Sequence, residues 1–223
     1  MIIDVIQTQS NFGYEYTIYH DEKYAYNGKL GSWHTAQRIT LQKNRDTVAT
    51  GVYRFSHWTN YIPLRYLFGE ASIRNLLEIP KFNGTIALSL HGFARSFYVI
   101  TASDHVLHAY RRSIGDFSYL SVYLLSPDCR QEEQIALAET YLTTTNYLYT
   151  HKIYLLDAYA EQKDIVSMLM LYVANRHYTH RGSGFYGKMV EKEWTFSTYN
   201  DKYDPSWRET HFPNENYWGK INP

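Results

Sequence analysis

Ile165-Val166-Ser167-Met168-Leu169-Met170-Leu171-Tyr172-Val173-Ala174 is the stretch whose reading decides the fold. It lies within residues 158–178, which contain neither Gly nor Pro. Acidic Glu161 and Asp164 stand near the start of that segment, Arg176 and His177 stand near its end, and Gly182 and Gly184 follow. This is the charge order a helix dipole favours, with a stop signal behind it. Ser167 alone interrupts the apolar run, so the predicted helix has no polar face and must be surrounded by protein. It is far shorter than the roughly 20 apolar residues that span a bilayer. A barrel interior would surround it.

Working outward, the preceding sequence reads as the wall of such a barrel. Short alternating segments run over Tyr14 to His20, Lys23 to Tyr26, Arg38 to Gln42 and Thr47 to His57, separated by Asp21-Glu22, Asn27-Gly28 and Lys43-Asn44-Arg45-Asp46. Asn27-Gly28 is the strongest hairpin signal, because both residues accept positive φ. Prolines 63 and 80 bracket a stretch where Ser72, Ile73, Leu76 and Leu77 have helical spacing, so a short helix is expected there. After Asn83-Gly84, strand signals resume over Thr85 to Leu90, Phe93 to Thr101, Val106 to Arg112 and Phe117 to Leu125. Gln134 to Leu142 suits either a helix or the start of a strand, and Lys152 to Leu156 reads as a strand ending at Asp157. An aromatic content of 17%, with 23 Tyr, suits a pleated, half-buried surface. The fold class is therefore mainly β with one buried helix: a closed antiparallel β-barrel enclosing a C-terminal hydrophobic α-helix. Residues 1–181 form the barrel unit, and residues 182–223 form an aromatic-rich extension expected to pack over it or to be partly mobile.

Composition narrows the function. The 22 Lys+Arg balance 22 Asp+Glu, so no global field draws the chain to nucleic acid or to an anionic membrane, and any such binding must come from a local patch. Cys129 is the one cysteine, which leaves no internal disulfide or multi-thiolate zinc site and suits a reducing, cytoplasmic compartment. Met1 to Ser10 has an apolar start but no basic region or sustained apolar core, so it does not read as a signal peptide, and membrane contact is expected to be peripheral.

The early segment Tyr24-Ala25-Tyr26-Asn27-Gly28-Lys29-Leu30, the late strand Lys152-Ile153-Tyr154-Leu155-Leu156-Asp157 and the apolar helix Ile165 to Ala174 together resemble the tubby C-terminal-like fold, including LURP-one-related proteins and scramblases. The likeness is architectural and covers about Tyr14 to Tyr178. It implies a closed barrel of about a dozen strands threaded by the hydrophobic helix. It also implies binding of phosphoinositide headgroups through a basic surface pocket, although no basic motif here receives the family's binding residues. Fold does not carry function with it.

The candidate site residues are basic. Arg111 and Arg112 stand at a strand end, and Arg176 and Arg181 flank the end of the apolar helix with His177 and His180. Guanidinium forks suit phosphate, while the second group also has a plain role in complementing the helix dipole. The His105/His108 and His177/His180 pairs are placed in surface or packing roles, because residues three apart on a strand point to opposite faces and no further metal ligands accompany them. Cys129, in a polar loop after Pro127-Asp128, lacks a nucleophile motif, and no phosphate loop or dinucleotide fingerprint is present. Exposed Trp207 and Trp218 would serve as interfacial or partner anchors, and a folded tail would instead bury them. The expected function is thus a non-enzymatic binding domain, without cofactor or metal, whose ligand is an anionic phospholipid headgroup or a protein partner. The alternative is a hydrolytic or metal-dependent enzyme with a site assembled from distant loops.

Overall fold

In the computed structural model, which describes residues 1–10, 13–30, 38–54, 72–91, 95–103, 105–114, 117–128, 130–142, 148–177 and 200–214, a wall of antiparallel strands closes around the apolar segment. The strands are β1 (Ile2–Ser10), β2 (Gly13–His20), β3 (Lys23–Leu30), β4 (Arg38–Lys43), β5 (Asp46–Arg54) and β6 (Ser72–Ile79), then β7 (Gly84–His91), β8 (Arg95–Ala102), β9 (His105–Ile114), β10 (Phe117–Leu125), β11 (Glu132–Leu142) and β12 (Tyr149–Leu155). Each pairs with its predecessor, and β12 returns to β1 with Ile153 opposite Ile3 and His151 opposite Val5. Closure gives each described strand a hydrogen-bonded neighbour on both sides.

The helix α1 (Lys163–His177) follows a 3-10 segment over Asp157–Gln162 and runs through the barrel. Ile165, Val166 and Met168 to Ala174 are each no more than 4% exposed, which requires wall on every side of the helix. Ser167 satisfies its hydroxyl by donating to the Lys163 carbonyl at 2.7 Å. Contacts from several strands fix the helix along the barrel axis. Tyr26 Oη donates to Asp164 Oδ1 at 2.9 Å near its start, and Asn175 Nδ2 donates to Tyr53 Oη at 2.8 Å near its end. Between them, Tyr172 stacks on Tyr53 and meets Tyr98 edge-on. Each large side chain buried this way contributes about 1.5–3 kcal/mol.

Three local expectations are corrected. Asn27-Gly28 is not a turn but lies inside β3, with Gly28 opposite Tyr16 on one side and Leu41 on the other. The glycine is needed for close approach of the helix, and the turn falls instead at Asp21-Glu22, whose φ values are 46° and 65°. The stretch from Ser72 to Leu77 forms strand β6 rather than a short helix: Leu77 and Ile79 are fully buried while Glu78 between them is not, which is strand alternation. The pairing of β6 with β7 shifts register between Arg74 and Leu77. The predicted wall begins at Tyr14, yet the N-terminal segment supplies β1, which seals the barrel between β2 and β12. Gln134 to Leu142, left open between helix and strand, belongs to β11.

The barrel has two mouths. At the first, the helix starts beside the Asp21-Glu22 and Asn44-Arg45 turns; at the second, the helix ends on the side where Ile114 of β9 pairs with Phe117 of β10. Residues 200–214 lie against the outside of the wall as a strap with a 3-10 turn at Asn200–Lys202 and a short helix α2 (Trp207–His211). Trp207 is buried there with Tyr119, Leu137 and Tyr154, and Tyr203 and Phe212 pack beside it. Among the described residues, no helix is long and apolar enough to cross a membrane.

Candidate functional site

Strand alternation separates the two adjacent arginines of β9. Arg111 is opposite Leu120, a core residue, so it faces the interior at the second mouth, where its Nε donates to Ser118 Oγ at 3.0 Å. Arg112 is opposite Tyr119 and faces outward, with its guanidinium 5.0 Å from the ring centre of strap residue Tyr203. The pair therefore does not act on one ligand from one face.

Around Arg111 the interior is polar. Ser118, Thr140 and His151 occupy directly opposed positions on β10, β11 and β12, and Thr140 Oγ1 lies 2.8 Å from His151 Nδ1. Nearby Gln7 accepts the Tyr149 backbone N–H at 3.0 Å through Oε1. Complete burial, assisted by the Arg111 charge, pushes the His151 pKa down to about 3, so the imidazole is neutral at pH 7. The Arg111 charge thus reaches into the end of the barrel.

Arg176 lies in the last turn of α1, which ends at this same mouth, as the Asn175–Tyr53 bond shows. Arg181, His180, Cys129 and Trp218 lie outside the described residues. His105 is exposed at the start of β9, and His108 sits on the outer wall. Trp207, itself a strap residue, is buried against the wall at 7% exposure.

That outer wall carries a second constellation, which the sequence reading did not find because its members come from four separate segments. Glu132 of β11 is its centre. Its Oε1 accepts from Tyr110 Oη and lies 2.8 Å from His108 Nδ1; a carboxylate only accepts, so that nitrogen carries the proton. Its Oε2 accepts from Lys202 Nζ of the strap at 2.5 Å. The Lys202 ammonium also stands 5.4 Å from the ring centre of Tyr110 and 5.3 Å from that of Tyr123. Tyr123 Oη donates to the Lys202 backbone carbonyl at 3.0 Å. Burial alone would raise the Glu132 carboxyl, but the hydrogen bonds from Lys202, Tyr110 and His108 outweigh it and hold it below its ordinary range. Burial, then the Glu132, Asp204 and Asp201 charges, push the Tyr123 phenol up to about 12.

Farther along the strap, Arg208 approaches Glu139 at 3.7 Å, with both side chains less than a tenth exposed, and its guanidinium lies against the Tyr154 ring. Burial raises the Glu139 carboxyl above its ordinary value, and the Arg208 charge only partly opposes that. Compared with known protein families, with curated proteins and with solved structures, this chain matches none.

Proposed function

We propose that this chain is a non-enzymatic binding domain of the tubby-like type that holds an anionic phospholipid headgroup at the second mouth of its barrel. The observation that carries this reading is convergence. Arg111 and the helix turn bearing Arg176 belong to one rim, although 65 positions separate them in the chain. The Arg111 guanidinium supplies a forked, permanently charged donor of the kind phosphate oxygens accept, and Arg176 belongs by sequence to the helix turn that ends at the same mouth. Arg176 also offsets the negative end of the helix dipole, which would otherwise repel an anion there. The resemblance to tubby-like proteins agrees with a barrel threaded by its helix, and placing the headgroup at the rim is our own reading.

The test is co-sedimentation with liposomes containing anionic lipid, at low and at physiological salt. With no net charge to supply diffuse attraction, binding should rest on a few arginines and weaken steeply with salt. Arg111→Ala combined with Arg176→Ala should abolish it, while Arg112→Ala should keep it. Loss on Arg112→Ala alone would move the site to the outer wall. Absence of binding in every lipid mixture removes the headgroup reading and leaves a protein partner in its place.

A further inference from the structure

The geometry points to a primary-ammonium binding site on the outer wall, built from Tyr110, Tyr123 and Glu132 and occupied in cis by the chain's own Lys202. It is independent of the headgroup reading, since it lies outside the barrel and takes a cation.

The wall, not the strap, builds this site. Glu132 Oε1 is held by Tyr110 Oη and His108 Nδ1, both from β9, which leaves Oε2 turned to the ammonium. The Tyr110 ring is stacked on Phe97 of β8 and meets Tyr123 of β10 edge-on, so its orientation is set by neighbouring strands. The carboxylate and both rings are therefore in place before Lys202 arrives. Two ring faces within about 6 Å of one cation, together with a carboxylate, are the elements of an ammonium cage.

The hydrogen bond to Oε2 selects the ligand class. A primary ammonium has N–H groups to donate to a carboxylate, and a quaternary one has none. Tyr123 Oη further accommodates a carbonyl at the foot of the side chain, which is the pattern of a lysine within a peptide. Lys202 holds the site at the high effective concentration of a tethered ligand, so the strap and a free primary amine compete for it.

The test uses the full chain with Lys202→Ala and follows the aromatic proton signals of Tyr110 and Tyr123 as butylammonium chloride is added. The two rings should show saturable shifts, and the parent should need roughly tenfold or more butylammonium for the same response. Tetramethylammonium chloride and butanol should give no saturable shift, and adding Glu132→Gln to Lys202→Ala should abolish the butylammonium response. The inference is overturned if butylammonium gives no saturation with Lys202→Ala, if tetramethylammonium acts equally, or if Glu132→Gln changes nothing.

Discussion

Gly28 of β3 provides the space that Leu171 of the central helix occupies: a Cβ at Gly28 would stand 2.8 Å from both Cδ1 and Cδ2 of Leu171. Gly28→Ala should therefore destabilise the protein by about 1–3 kcal/mol, as overpacking does. Leu171→Ala removes the atoms in conflict, so the double variant should be more stable than the sum of the two single losses predicts. Chemical denaturation of the four proteins measures the coupling; strict additivity would show that the helix and β3 do not constrain each other.

Leu169, 1% exposed near the middle of α1, lies in the main core cluster that strands from around the wall complete. Leu169→Lys places an ammonium there with no water to receive it, so the product should be insoluble or lack cooperative unfolding. A soluble protein that melts like its parent would be incompatible with a helix enclosed by the barrel.

His151 predicts an acid limb in the stability curve. Its folded pKa is lowered from 6.5 to about 3, so between those values the unfolded chain binds the proton that the folded chain refuses. Stability then rises with pH across that window and is lost as pH falls through it, by on the order of 5 kcal/mol in all. Glu139 works with the opposite sign: its raised carboxyl pKa makes the folded chain the better proton binder just above pH 4.5. His151→Asn should flatten the limb between pH 6.5 and 3 in denaturant titrations, whatever its effect on stability at pH 7. An unchanged slope would mean that the imidazole is not held neutral.

The strap should be an addition to a complete barrel, because none of the twelve strands comes from residues 200–214. A chain ending at Arg181 is expected to unfold cooperatively at a lower temperature than the parent, having exposed Tyr119, Leu137 and Tyr154. Trp207→Ala in the full chain should cost about 3 kcal/mol by emptying that contact. Absence of a cooperative transition in the shortened chain would show that barrel and tail fold as one unit.

What the sequence determined by itself was whatever depends on local pattern. Ile165 to Ala174 could only be an enclosed helix, since no polar face exists to meet water. Alternation with turn chemistry located most of the wall, and the Asp21-Glu22 and Asn44-Arg45 turns appear where short polar pairs interrupt it. Pattern misled where a residue's role is set from across the barrel. Gly28 resembles a turn glycine until Leu171 is seen against it, and Ser72 to Leu77 resembles a helix until β5 and β7 are seen on either side. The site residues were least legible of all. Arg111 and Arg112 are neighbours in sequence but point to opposite faces, because a pleated strand alternates its side chains. Glu132 and Lys202 are 70 positions apart, and only closure of the wall and docking of the strap bring them into contact, since no local rule couples residues at such separation.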